Sequence, residues 1–107
     1  AGMPGRGRAV GMAGRMAALV GVTAFSGAFV AGNDAGSVYN DFPLMNGDWI
    51  PDEIWDPELS PPLRNFFENP ATVQLTHRVL AVSTLASSLY FARAATAAAA
   101  AGAAPAA

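Results

Sequence analysis

The sequence predicts an all-α membrane protein: a piece of a helical bundle in which two transmembrane helices flank a long, acidic, aromatic-rich extramembrane loop. Three observations lead there. Of the 107 residues, 52% are hydrophobic and only 13% are charged, with no lysine, a balance that leans toward the membrane. Two apolar stretches, one in each half, approach the roughly 20 helical residues needed to cross a bilayer core of about 30 Å. All eight acidic residues fall between Asp34 and Glu68, where Arg64 is the only base, and the other five arginines (Arg6, Arg8, Arg15, Arg78 and Arg93) lie outside that stretch. Such segregation fits a hairpin whose two ends face the positive, cytoplasm-like side and whose loop faces outward.

Residues 1–9 form a basic N-terminal segment, and the first span is expected over 10–32. Its core from Met16 to Gly32 is uninterrupted by charge, so Arg15 must sit near the boundary or snorkel to it. Small residues recur four apart (Gly14 and Ala18, Ala17 and Gly21, Ala24 and Ala28, Gly27 and Ala31), a pattern that lets membrane helices approach closely. The helix is therefore expected to pack among partners. A cleaved signal peptide is the rival reading, since bases precede the apolar stretch, but the many glycines and the Asn33-Asp34 exit disfavour it.

Residues 33–69 form the outward-facing loop. It carries Pro43, Pro51, Pro57, Pro61 and Pro62, a density that forbids a long helix or a central strand. It also carries Tyr39, Phe42, Trp49, Trp55, Phe66 and Phe67, which a solvated linker has no use for. A folded cap at the membrane interface, with short helical turns from Pro51 to Trp55 and from Pro61 to Phe67, is expected rather than a disordered acidic tether. Asn69 is a good N-cap and Pro70 suits the first helical position, so the second span is placed at 70–93, with Arg93 near the opposite interface. The Ala-rich tail 94–107, with Gly102 and Pro105, reads as the start of a connection. Two marginal spans and a loop bury little, so the whole reads as part of a larger membrane protein.

The chemistry concentrates at His77, the only imidazole in the chain. An ionisable side chain inside a membrane segment is costly and is a functional-site hypothesis by default. Counted from Pro70, His77 lies about 12 Å along the helix, in the outer leaflet. At about 100° per residue, Ala81, Thr84 and Ser88 share its face, while Val79, Val82, Ala86 and Leu89 lie opposite. The small-residue face leaves room for a flat macrocycle or for a neighbouring helix. A neutral imidazole can ligate heme iron or another transition metal, and the alternative is a hydrogen-bonded structural histidine. Arg78 could pair with a heme propionate through its guanidinium fork, or with a loop carboxylate, or snorkel. Met3, Met12, Met16 and Met45 are conceivable axial partners, although methionine more often packs. Asp34, Asp41 and Glu68 could carry protons or orient the loop, but no carboxylate pair has a spacing that singles out acid-base catalysis.

Several classes are excluded or unsupported. Without cysteine the chain has neither a disulfide nor a thiolate site. No basic face speaks for nucleic acid. There is no Gly-rich phosphate loop after a strand, no Ser/His/Asp set and no zinc spacing.

Particular strings add a resemblance. Ser26-Gly27-Ala28-Phe29-Val30-Ala31-Gly32-Asn33-Asp34-Ala35-Gly36, Tyr39-Asn40-Asp41-Phe42-Pro43-Leu44-Met45, Trp49-Ile50-Pro51, Asn65-Phe66-Phe67-Glu68-Asn69, Val73-Gln74 and His77-Arg78 occur in that order. Together they closely resemble the heme A synthase family of mitochondrial and alphaproteobacterial type, across residues 15–93. The resemblance implies an enzyme of eight transmembrane helices in two similar halves that oxidises the C8 methyl of the substrate heme O to the formyl group of heme A, the cofactor of cytochrome c oxidase. This chain would correspond to the fifth helix, the outward loop and the sixth helix.

The resemblance also makes His77 an axial iron ligand of a heme B that acts in electron transfer, with Arg78 beside it. The second ligand would come from the eighth helix and the substrate-side histidines from the first half. Implied partners are the lipid bilayer, the remaining helices, heme O synthase and an electron donor. The implied location is the mitochondrial inner membrane with the loop toward the intermembrane space, or a bacterial plasma membrane with the loop periplasmic. This stretch alone is expected to be catalytically inert. Where the family more often has an aromatic residue and then Asp or Asn before His-Arg, this chain has Leu75-Thr76, which puts any role of that acid in doubt. The rival readings are a non-enzymatic heme-binding electron-transfer subunit and a structural membrane hairpin or assembly factor.

Overall fold

A computed structural model describes residues 6–103, with four α-helices and two short 3-10 turns among them. The long helices are α1 (Arg6–Gly32) and α4 (Pro70–Ala103); α2 (Ala35–Val38) and α3 (Asn65–Glu68) are single turns in the loop, and the 3-10 turns are Asp52–Ile54 and Pro62–Arg64. No strand occurs among the described residues, only an isolated bridge between Met45 and Asp48. The architecture is all-α, and both long helices are long and apolar enough to cross a membrane. Met3, the first five residues of the basic segment and the last four of the Ala-rich tail lie outside the described residues.

The long helices pack as an antiparallel pair, and their sequences explain the register. Half-buried positions on α1 include Met12, Met16, Leu19, Thr23, Ser26, Val30 and Asn33 just beyond its end, stepping alternately by four and three. On α4 they include His77, Leu80, Thr84, Ser87, Phe91 and Ala94 with the same alternation. An alternation of three and four residues, about 3.5 on average, keeps one face of each helix toward its partner. Val79, Val82, Leu85 and Leu89 point away from it and are exposed. Of the small residues spaced four apart on α1, Gly27 lies on the seam, whereas Gly14, Ala17, Ala18, Gly21, Ala24, Ala28 and Ala31 form the exposed outer face.

Both helices overrun the expected spans. The 34 residues of α4 reach about 51 Å, well past a bilayer core, because alanine has the highest helix propensity and carries the helix beyond Arg93 to Ala103. At the other end, the first turns of α4 are covered by the loop. Ala71, Thr72, Val73 and Gln74 are buried, and with Ala35, Tyr39, Met45, Asn65 and Asn69 they form the densest part of the molecule.

Polar side chains build this cap, because a loop without regular structure must pair its backbone groups some other way. Asn69 accepts from the Ala71 N–H at 3.0 Å, capping α4, and donates to Glu53 O at 3.0 Å and Asn65 Oδ1 at 2.9 Å. Asn65 is fully buried; it accepts from the Asp56 N–H at 2.7 Å and donates to Pro62 O at 2.8 Å and Asp56 O at 3.1 Å. Thr72 donates to Ile54 O, and Gln74 Nε2 donates to Ala35 O at 3.2 Å and Tyr39 O at 3.1 Å. Asn46 (φ 53°) and Gly47 (φ 91°) both take positive φ between bridged Met45 and Asp48, the form of a tight type I′ turn, where glycine and asparagine are the residues of choice. Aromatic edges close the remaining gaps: Phe29 lies 5.1 Å from both Phe25 and Phe67, and Trp55 lies 5.8 Å from Phe66, centroid to centroid.

Candidate functional site

His77 sits two turns inside α4, below the cap, on the seam with α1. Its Nδ1 lies 2.7 Å from Ser26 Oγ. The ring lies against Gly27, where a Cβ would come within 3.0 Å of His77 Cε1 and 3.5 Å of both ring nitrogens. A side chain at this position would need the ring to give way by a few tenths of an ångström, so glycine is what lets the imidazole lie this close to α1. His77 is half-buried, and its Nε2 makes no hydrogen bond among the described residues yet is not a buried orphan. One ring nitrogen is held and the other is free.

Arg78, the next residue, faces the loop. Its Nη1 donates to Leu44 O at 3.0 Å and Pro43 O at 3.3 Å, its Nη2 donates to Asp41 O, and the guanidinium lies 5.3 Å from the Phe42 ring centroid. The fork thus gathers three carbonyls of the irregular stretch Asp41–Leu44, a task for which its planar donors are well suited. The Asp41 carboxylate accepts the Asn46 N–H at 2.7 Å and the Gly47 N–H at 3.0 Å, and these bonds hold its pKa below the ordinary value of 3.8. Tyr39 donates to Glu53 at 2.6 Å; burial foremost, then that carboxylate, pushes the phenol up to about 12. Glu68 pairs with Arg64, which holds its pKa below the usual carboxylate range. Asp34 takes a left-handed conformation (φ 53°) between α1 and α2.

The methionines fall elsewhere. Met45 is buried in the cap core with Tyr39 and Ala71, and Met16 lies ten residues, about 15 Å, down α1 from Ser26. A groove of about 630 Å³ at that far end is lined by Met12, Met16, Arg8, Arg15, Tyr90 and Phe91 among others, and His77 is not part of it. Beside Ser26 is a shallow apolar depression of about 160 Å³ with Phe25, Phe29, Phe67, Val73, Thr76 and Leu80 on its walls. It is too small to enclose a porphyrin, so a macrocycle at His77 needs further walls.

In the sequence Ser26 stands out only as part of a family-like string, and Gly27 only there and as a small residue four before Ala31. The available signal was the register of the polar residues in an otherwise apolar helix: Thr23, Ser26 and Asn33 all lie on one heptad seam. Each bonds its own helix and reaches off it. Thr23 Oγ1 lies 2.7 Å from Leu19 O and 2.8 Å from Thr84 Oγ1, and Asn33 Nδ2 donates to Phe29 O and Phe67 O, both at 2.8 Å.

The described residues thus form a pair of membrane-length helices with one imidazole on their seam, bonded at Nδ1 and without a hydrogen bond at Nε2. Residues 2–107 match the COX15-CtaA family, described as cytochrome oxidase assembly protein, and the chain belongs to that family. The heme A synthase COX15 of Arabidopsis thaliana is 66% identical over 67 residues, covering 63% of this chain and 14% of the plant protein. The heme A synthase COX15 of Bos taurus is 56% identical over 77 residues, covering 70% of this chain and 18% of the bovine protein. The heme A synthase of Paracoccus denitrificans is 60% identical over 53 residues, covering 50% of this chain and 13% of that protein. The chain therefore spans less than a fifth of the length of these relatives. No solved structure matches it.

Proposed function

We propose that the protein carrying this chain works in heme A biosynthesis for cytochrome c oxidase, converting the C8 methyl of heme O to a formyl group, and that His77 is an axial ligand to the iron of a heme B. It is read as an oxidoreductase of the mitochondrial inner membrane or a bacterial plasma membrane, with the loop on the outer side. The observation that carries the ligand role is the free Nε2 of an imidazole whose Nδ1 is already bonded to Ser26. A neutral imidazole with one nitrogen anchored is the usual state of a histidine ligand.

When bound, heme supplies the electron transfer, and the rest is done by the chain. α1 and α4 fix the depth of His77; Gly27 and Ser26 fix its ring. Arg78 uses three donors on the loop carbonyls and retains Nε–H and a second Nη2–H, a pair suited to a propionate. The cap covers the outward end of this arrangement. Methyl oxidation is assigned to the other half of the protein, so His77 serves the cofactor heme and not the reacting carbon.

The test uses the full-length protein in membranes. His77→Ala should remove one heme from the reduced-minus-oxidised spectrum and abolish formation of heme A, while the protein still inserts. An unchanged spectrum would remove the ligand role. Heme A formation at the parental rate in a variant that has lost that heme would remove its part in the reaction.

A further inference from the structure

We infer that Ser26 is the positioning residue for His77: it selects the Nδ1–H tautomer and so points an unprotonated Nε2 at the iron. The inference rests on the ligand role proposed above. Ser26 Oγ makes two contacts, each 2.7 Å, to Thr23 O and to His77 Nδ1. A hydroxyl has one proton to give. A carbonyl can only accept, so at 2.7 Å from Thr23 O the Ser26 proton points along that contact; otherwise two oxygens face each other with no hydrogen between them. Ser26 Oγ then has only lone pairs left for the imidazole, and Nδ1 must carry the proton. In a neutral ring that leaves Nε2 unprotonated.

The rest of the site agrees with this assignment. Nε2, the nitrogen left without a proton, is also the one without a hydrogen bond among the described residues. Gly27, the residue after Ser26, is open enough for the ring to lie on the helix backbone, which keeps Nδ1 over the hydroxyl. The serine acts in relay: a peptide carbonyl of α1 polarises the hydroxyl oxygen, and that oxygen accepts from the imidazole. A hydrogen bond at the distal nitrogen raises the basicity of the ligating one. Greater donation from the ligand favours ferric over ferrous iron and lowers the potential of the heme.

The experiment compares the full-length parent with Ser26→Ala, Ser26→Thr and His77→Ala. Heme-depleted protein is titrated with hemin, the midpoint potential of the bound heme is measured, and ¹⁵N imidazole spectra of the heme-free protein are assigned by difference with His77→Ala. Ser26→Ala should weaken hemin binding about 10–100-fold and move the potential upward, and Ser26→Thr, which keeps the hydroxyl, should restore both. The heme-free parent should display the Nδ1–H tautomer at His77. Parental affinity and potential in Ser26→Ala would overturn the inference, as would an Nε2–H tautomer in the parent. If Ser26→Ala does not fold, the tautomer of the parent decides. An unchanged heme spectrum in His77→Ala is a different failure, since it removes the ligand role and leaves the tautomer result standing.

Discussion

At the scale of single residues, the loop is ordered by charges that stay outside the membrane. Asp41 binds two consecutive amides, those of Asn46 and Gly47, and its own carbonyl accepts from Arg78. Because the two amide bonds depress the carboxyl pKa, the ionised form is the one the fold prefers. Its contribution is therefore complete above the ordinary value of 3.8 and fades as pH falls through the lower, folded value. Amide chemical shifts of Asn46 and Gly47 should titrate together with a midpoint below 3.8 and stop titrating in Asp41→Asn. A midpoint at or above 3.8 would show that the turn gains nothing from the charge. His77 and Arg78 stood out in the sequence because an imidazole and a guanidinium near an apolar run have few bland uses. Ser26 did not, because a serine in a small-residue helix looks like its neighbours until the register of the opposing helix is known.

At the scale of elements, the first turns of α4 serve two purposes: they start a membrane helix and they anchor the cap. Asn69-Pro70 was legible as a helix start because capping is local chemistry. Asn65 was not, because its acceptors are the carbonyls of Asp56 and Pro62 and its donors are the Asp56 amide and the Asn69 side chain, an arrangement fixed only when the loop folds back. The proline spacing marked where the 3-10 turns begin but carried no information on which backbone groups Asn65 would pair. Truncation of this fully buried amide strands several partners at once. Asn65→Ala is expected to cost roughly 1–3 kcal/mol for each buried partner left unpaired, and the cost should fall on the cap rather than on the helix pair. Hydrogen exchange would then rise across Asp52–Asn69 while the helix pair around Thr23 of α1 and Thr84 of α4 keeps its protection. Equal loss in both regions would mean that cap and helix pair unfold as one unit.

At the scale of the whole chain, charge and length together set an orientation. The described residues extend over 66 × 28 × 19 Å, and the two long helices account for the long dimension. The eight acids are confined to the end that carries the cap, whereas Arg6, Arg8 and Arg15 lie on the opposite half of α1 and Arg93 on the opposite half of α4. Arginine bias near the ends of spans governs topology, and acidic residues count for little, so the arginines at the far end are expected to direct that end to the cytoplasm-like side. Arg78 is the exception, a base at the cap end whose guanidinium is held there by the carbonyls of Asp41, Pro43 and Leu44. The chain has no cysteine, so single thiols can report sidedness. In the full-length protein freed of other reactive cysteines, Glu58→Cys should react with a membrane-impermeant maleimide added from the outer side, and Ala98→Cys only after the membrane is opened. Both positions are exposed, so burial does not account for a failure to label. The reverse pattern would place the acidic cap, and His77 two turns below it, on the inner side.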